Sequence, residues 1–492
     1  MTALAAFALS APIFAMENSS DLSAQVDQLS AQTKKLEHEV WLLRHKTAQK
    51  KVKTTQFKTS KKPLDTAAKA KESPEIISLW NHYVTITTVP YLSRHLAYSG
   101  SDLLYNVSSV NEDLILLRQK KDLILAMDKA GYPLHRPLVQ VSGSLAGQFY
   151  SSGAFTPNSS GGNATSGFAL STAEIDFNAI ASRWATGFMA LDFNGSPVST
   201  GNRNPTGTIY LQRGFLTIGN LDAFPLYFTM GEMYSPFGAY TNSMVSTPMT
   251  QSMMEIRTPT AILGFSKGGY FASFYGYSGS QTSGGDNTVK QCGADTGFKT
   301  TFHGTDSFSV GAGWVSNIAD SQGMQSTGYS TTNGQFAGFG VGSATNALVH
   351  TVGGADANGS LVVGPVTLIG EYMTATQSFA QTDLSFNNAG ASPSAEHAEI
   401  DYLFPYFAKK YGAALGVSYD HTAQALALNL EQNKYAVYLN ANIWRETIES
   451  VEYNYQTDYA AGTTSRGEGA TAPIVGTGKG VNTFLMDVGV YF

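Results

Sequence analysis

The last ten residues, Thr483 to Phe492, constrain the fold of this chain more than any other stretch. Counted back from the C-terminus, Phe492, Val490, Val488, Met486 and Phe484 share one parity, while Tyr491, Gly489, Asp487, Leu485 and Thr483 take the other. Side chains of a strand alternate between its faces. One face here is wholly apolar and ends in an aromatic; the other is mixed and carries a charge. The closing strand of a transmembrane β-barrel has this pattern: lipid outside, polar lumen inside, an aromatic at the membrane interface. A soluble edge strand alternates in the same way. What separates the two is whether the pattern repeats an even number of times upstream.

After Pro137 the chain consists of short alternating runs broken by Gly, Asn and Ser clusters. Strands are expected near 138–151, 168–181, 184–194, 208–219, 225–234, 258–267, 269–278, 294–304, 307–317, 339–351, 361–376, 396–408, 410–421, 434–445, 446–459 and 482–492. The long connections are 152–167, 195–207, 235–257, 279–293, 318–338, 377–395, 422–433 and 460–481, with short ones between and a medium one at 352–360. Alternating connection lengths, both ends on the short-turn side and an even total are a barrel's own constraints. Gln424 to Leu430 also alternates, but a strand there breaks the parity, so it is assigned to a loop.

Composition supports this reading. Only 14% of the 492 residues are charged, whereas Gly (49), Phe (27) and Tyr (25) are abundant. A soluble domain carries about a quarter charged residues. Mean hydropathy is −0.11, and no run of about 18 apolar residues exists, so transmembrane helices are excluded. The single cysteine, Cys292, cannot form an intramolecular disulfide.

Four segments precede the barrel. Residues 1–15, with the apolar run Leu4 to Ala15, read as a signal peptide; no basic residue precedes the run, so the start is expected a few residues upstream. In 16–45, Leu22, Leu29, Leu36 and Leu43 fall at d positions and Val26, Thr33 and Val40 at a, a coiled-coil pattern pointing to a homo-oligomer through 22–45. A single helix packing on its own barrel is the alternative. Residues 46–74 form a Lys-rich linker, Lys46 to Lys71 with Pro63 within it and Pro74 at its end. Residues 75–137 hold a helix announced by Ser109-Val-Asn-Glu112, a capping box, with Leu114, Leu117, Lys121 and Ile124 on one face. It is expected either under the barrel or inside it as a small plug. An exported chain excludes nucleic acid as a partner; outer-membrane lipid and a small solute remain.

The faces of the strands divide into lipid and lumen. Ile175, Phe177 and Ala179 are expected outside and Glu174, Asp176 and Asn178 inside. Ile400, Tyr402 and Phe404 likewise oppose Glu399 and Asp401, and Val451, Tyr453 and Tyr455 oppose Ser450, Glu452 and Asn454. Sixteen strands leave an aqueous channel unless something fills it. The third long connection, 235–257, carries Met244, Met249, Met253, Met254, Glu255 and Arg257. Four methionines are odd in a loop facing only water. A loop folded into the lumen explains them and leaves Glu255 and Arg257 facing the pore. Soft-metal capture by the thioethers is the sharper alternative, adaptable packing the plainer one.

Residues 1–137 carry 18 basic and 13 acidic side chains, and the rest of the chain 13 and 24. An acidic barrel predicts mild cation preference, against which Arg213, Arg257, Arg183, Arg203 and Lys299 are the local basic residues. No nucleophile–base spacing involves His303, His350, His397 or His421, and no multi-ligand metal spacing occurs. No catalytic residue, metal or cofactor is therefore expected.

Phe215-Leu-Thr-Ile-Gly-Asn-Leu-Asp222 and Tyr227-Phe-Thr-Met-Gly-Glu-Met-Tyr-Ser-Pro-Phe-Gly-Ala-Tyr240 resemble the outer-membrane siderophore porins of the legiobactin-receptor type. So do Asn111-Glu-Asp-Leu114, Tyr435 to Trp444, the Gly476-Thr-Gly-Lys479 run, and the order of coiled coil, helical segment and barrel. The resemblance covers nearly the whole mature chain. It implies a sixteen-stranded outer-membrane barrel that imports ferric siderophore without an energy-coupled plug, with its N-terminal segment in the periplasm. A general diffusion porin is the alternative, and an envelope tether, adhesin or outer-membrane hydrolase a more distant one.

Overall fold

The computed structural model describes residues 109–129, 138–153, 164–194, 208–280, 288–302, 306–326, 348–407, 411–444, 447–467 and 473–492, together with a few isolated positions and two short strands at Ile76–Ile77 and Thr85–Thr88. All belong to the compact unit formed by residues 73–492. The expected signal peptide, heptads and Lys-rich linker lie outside the described residues.

Sixteen antiparallel strands close into a barrel. They are β1 (Leu138–Ser152), β2 (Thr165–Ile180), β3 (Ala185–Asn194), β4 (Thr208–Gly219), β5 (Leu226–Tyr234), β6 (Arg257–Lys267), β7 (Tyr270–Tyr277) and β8 (Gln291–Phe302). The second half is β9 (Asp306–Val315), β10 (Gly354–Val363), β11 (Val366–Ala375), β12 (Ser394–Phe407), β13 (Tyr411–Ala423), β14 (Asn433–Ala441), β15 (Thr447–Thr457) and β16 (Gly480–Tyr491). Each pairs with its neighbour in sequence. The last closes on the first from Tyr491↔Ser144 to Thr483↔Ser152, and Phe492 and Gly143 exchange both backbone hydrogen bonds. Closure leaves no unpaired edge, the condition for a sheet to cross a bilayer.

Alternation sets the two surfaces. Phe484, Met486, Val488, Val490 and Phe492 are exposed, as are Ile175, Ile400, Tyr402, Phe404, Val451, Tyr453 and Tyr455, while Glu174, Asp176, Asn178, Glu399, Asp401, Glu452 and Asn454 are buried. Exposed apolar side chains in this number on every strand would aggregate in water; on a closed barrel they form the lipid-facing belt. The protein is an outer-membrane-type β-barrel.

The total of sixteen is as the alternation predicts, but two strands are displaced. The expected strand at 361–376 is in fact the end of β10, a turn, and β11. Gly364, at φ +57°, and Pro365 make that turn. The expected connection 352–360 is most of β10, and the expected strand 339–351 is not a barrel strand: its residues 339–347 lie outside the described residues and Leu348 makes only a single bridge. The segment Gly354-Ala-Asp-Ala-Asn-Gly-Ser360 consists of turn formers and two alanines, all poor in strand propensity, so its own sequence hides the strand. Pairing with β9 on one side and β11 on the other holds it extended.

The helix α1 (Glu112–Lys129) lies inside the barrel, against the lumen side of β3 to β8. Leu114 and Leu117 pack on Tyr227 with Leu221 and Phe271; Val110 and Leu116 join a larger apolar core with Phe188, Phe215 and Met233. The Tyr227 ring lies so close over its cross-strand partner Gly264 that a Cβ there would stand 2.0 Å from the ring. At the other end of the barrel the described parts of two long connections pack together. Four short strands at Leu384–Phe386, Ala389–Gly390, Thr464–Gly467 and Ile474–Val475 make a separate sheet. A 3₁₀ turn at Leu426–Leu428 packs beneath it, with Leu426, Tyr459, Ile474 and Phe386 in contact.

Candidate functional site

The third long connection, 235–256, leaves β5 and crosses the lumen. In a ring of sixteen strands the wall opposite β5 and β6 is β13 and β14, and the loop reaches as far as β15. Most of its backbone belongs to no helix or sheet, so its N–H groups must find acceptors elsewhere. They find carboxylates of the wall. Gly238 donates to Asp356 at 3.3 Å, and Ala239 and Tyr240 to Glu371 at 2.6 and 3.1 Å. Ser243 donates to Glu399 at 2.8 Å, Val245 and Ser246 to Glu452 at 2.7 and 2.9 Å, and Met249 to Asp420 at 3.0 Å. Side chains add Thr250 Oγ1 to Glu371 and Ser243 Oγ to Asp401. In the other direction Lys434 Nζ and Asn440 Nδ2 donate to the carbonyls of Thr247 and Ser243.

Bonds to ionised acceptors are roughly twice as strong as neutral ones. Five acids spaced over β10 to β15 therefore fix the path of the loop. His397 stands between two of them, 3.0 Å from Asp420 and 3.3 Å from Glu399, with Lys434 3.9 Å from Asp420.

The expected site residues can now be placed. Met244 is buried with Ala436 and Tyr438, and Ser418 Oγ donates to its sulfur at 2.7 Å. Met249, Met253 and Met254 lie on a short helix, α2 (Met249–Met254), and all three are buried. Met253 and Met254 join the apolar core with Phe237, Tyr240 and Met324. Burial of Tyr240 pushes its hydroxyl well above the usual range. Glu255 is buried, accepts from Gln251 at 3.0 Å, and its carbonyl accepts from Gln322. Gln322 opens α3 (Gln322–Ser326), which lies against the loop and adds the Ser321 Oγ bond to the Met253 carbonyl. Arg257, the first residue of β6, is partly exposed and 3.8 Å from Glu232. Among the described residues no group of three or more His, Cys, Asp or Glu side chains is arranged to hold a metal ion.

Arg213 is almost wholly buried. Its Nε is 2.9 Å from Glu112 and one Nη 2.8 Å from Glu174, with Asp176 at 3.9 Å. It also donates to Ser109 and Gln212, and its guanidinium lies about 6 Å from the Phe188 and Tyr234 rings. Both Ser109 and Glu112, the expected capping-box pair, thus meet one arginine of the wall. Asn111 donates to Asp295 at 2.9 Å, and Lys120 to Thr186 and the Gly219 carbonyl, both at 2.9 Å. Burial pushes the Asp113 carboxyl up to about 6 and the Lys120 ammonium down to about 8. Of the other basic residues, Arg183 pairs with Asp128 at 2.7 Å, and Arg203 is outside the described residues.

The wall acids are the residues that the sequence reading missed as a group. Their signal was present in inward-facing acids such as Glu399 and Asp401, but it reads equally as a wet lumen. The expected cation preference counted as free charge the acids that the loop in fact engages.

Two parts of one chain therefore fill the lumen of a closed barrel, each tied to its own half of the wall. No family model matches the chain. A UPF0422 protein of Legionella pneumophila (strain Lens) is 36% identical over 417 residues, covering 83% of this chain and 76% of that one. The chain belongs to the UPF0422 family. A second relative, from Coxiella burnetii, is 34% identical and covers 84% of each chain. Among solved structures the chain is similar to the outer membrane channel DcaP of Acinetobacter baumannii (TM-score 0.45, 12% identity, 72% of this chain and 97% of that one). It is also similar to an anion-selective porin from Comamonas acidovorans (0.44, 11%, 73% and 100%) and to Salmonella typhi OmpF in complex with daunomycin (0.47, 11%, 72% and 97%).

Proposed function

We propose that the protein is a constricted, solute-selective porin rather than an open diffusion pore. The observation that carries this reading is the crossing of the lumen by 235–256, fixed to Asp356, Glu371, Glu399, Asp420 and Glu452. A loop held by five acids is a permanent part of the channel, and it narrows the path to a small hydrophilic solute. Ferric siderophore is the solute that the sequence resemblance favours. Residues 75–137 serve as the plug, the N-terminal segment lies in the periplasm, and 22–45 joins copies of the chain. A general diffusion porin is the second reading, favoured by the sixteen-strand barrel with an inward loop.

Liposome uptake of iron-loaded carboxylate siderophore beside size-matched neutral sugars separates the two. Saturable siderophore entry with slow sugar entry is expected; equal, non-saturable entry of both would assign a general porin. Replacing 236–255 by a short Gly/Ser turn is expected to raise single-channel conductance. Unchanged conductance would remove the loop as the constriction. Deleting 22–45 is expected to lower the oligomer mass in detergent, and an unchanged mass would show that the heptads do not associate.

A further inference from the structure

At the short-turn end of the barrel a cavity of about 410 Å³ opens between α1, the turn 220–225, the turn 268–269 and the end of β8. Binding sites for small molecules commonly measure about 300–1,000 Å³. Four cations line this one, Arg118, Lys121, Lys267 and Lys299, against a single carboxylate, Asp222. Arg118 and Lys121 lie one turn apart on α1, Lys267 ends β6 and Lys299 belongs to β8, so three elements bring the four cations together. Arg118 is anchored, donating to Ser266 at 3.1 Å with its guanidinium 6.0 Å from the Phe271 ring. Burial holds its pKa below the usual arginine range. Lys121 is 3.2 Å from Asp222. The lining of this cavity therefore carries a net positive charge, in a barrel whose sequence is acidic overall.

We propose that this cavity binds a small dissolved polyanion, carrying two or more carboxylate or phosphate groups, at the short-turn mouth of the channel. The inference rests on the channel reading above and adds a solute charge class to it. Arg118 presents a planar fork that matches carboxylate and phosphate oxygens in pairs, while Lys121 and Lys299 act as point charges that adjust to the rest of the ligand. Leu221, Phe224 and Pro225 give the cavity an apolar side. Lipid headgroups carry the same phosphate chemistry, but Arg118 reaches the cavity from a helix inside the barrel, away from the lipid-facing belt.

Calorimetric titration of the full chain in detergent, with pyrophosphate and citrate as probes and trehalose as neutral control, tests the site. Saturable binding of both anions and none of trehalose is expected. K121Q/K299Q is expected to weaken binding about tenfold, the scale of losing charged hydrogen bonds, and K290Q, remote from the cavity, to leave it unchanged. D222N is expected to tighten binding about threefold by releasing Lys121, a gain that a misfolded variant cannot give. Absence of saturable anion binding, or equal binding by all variants, would overturn the site. Loss of pyrophosphate binding in phosphatidylglycerol nanodiscs, with binding kept in phosphatidylcholine discs, would assign the cavity to lipid headgroups instead. Anion binding without solute entry into liposomes would sink the channel reading and leave the site. Entry without binding would do the reverse.

Discussion

The lumen is filled from two sides, and the two fillings are held by different chemistry. Against β3 to β8, α1 is held by side chains: Glu112 to Arg213, Asn111 to Asp295, and Lys120 to Thr186 and Gly219. Against β10 to β15, the loop 235–256 is held mainly by its own backbone N–H groups on wall carboxylates. The reason is internal to each filling. A helix satisfies its own backbone beyond the first turn, so only side chains are left to dock it. An irregular loop brings its donors with it, and an acidic wall is the acceptor that such donors need. One half of the barrel therefore depends on a buried arginine, and the other mainly on wall carboxylates, with Lys434 adding a bond to the Thr247 carbonyl.

Removing the cation should give the largest effect. In Arg213→Met the buried Glu112 and Glu174 lose their counter-charge, and such a loss costs about 3–5 kcal/mol. Hydrogen exchange of the α1 amides should speed up accordingly while the loop stays protected; unchanged protection of α1 would mean that apolar packing alone seats it. A charge on the outer face probes the wall without either filling. Leu263→Arg, at an exposed lipid-facing position, should cost about 2–4 kcal/mol in a bilayer folding titration, and should leave channel conductance as it was. A change of conductance would show that wall and filling are not separable.

Glu371→Gln acts on the loop side. Glu371 accepts from Ala239, Tyr240 and Thr250, and losing its charge should weaken the anchor by about 1.5–3 kcal/mol. Noisier and larger single-channel currents are expected, with α1 exchange unchanged. A quiet channel would place the anchor at the other four acids.

The smallest expected effect is one of pH on α1. Lys120 is held near 8, below its ordinary 10.5, so its share of docking is complete above 10.5 and is lost as pH falls through 8. Asp113 is held near 6, above its ordinary 3.8, so its share is complete below 3.8 and is lost as pH rises through 6. Docking should be weakest between about pH 6 and 8 and should strengthen on either side. A spin label at Leu125, an exposed position of α1, should become less mobile from pH 8 to 10.5. Lys120→Met should remove that dependence, and a flat profile in the wild type would sharpen the comparison towards Arg213 as the sole anchor.

Most of the wall was legible because alternation is a one-dimensional signal. Ile175, Phe177 and Ala179 against Glu174, Asp176 and Asn178 need no partner to be read. Segment 354–363 was not legible, since its Gly, Asp, Asn and Ser residues carry a turn signal and only pairing with β9 and β11 makes them a strand. The candidate site was legible in its parts alone. The methionines of 235–257 implied a buried loop environment, and Lys299 and Arg213 stood out as basic residues in an acidic barrel. Neither Arg118 with Lys299 nor Glu112 with Glu174 has a spacing that a sequence can reveal.

The sequence by itself determined a closed, even-stranded barrel with an apolar outside, because lipid contact and backbone pairing act on each strand through its own period of two. Only the tertiary structure decided what the lumen acids do. An inward glutamate is the same letter whether it faces water, a loop amide or a buried arginine. Which of these it meets depends on residues 39 to 207 positions away, brought to it when the barrel closes around its own loop and helix.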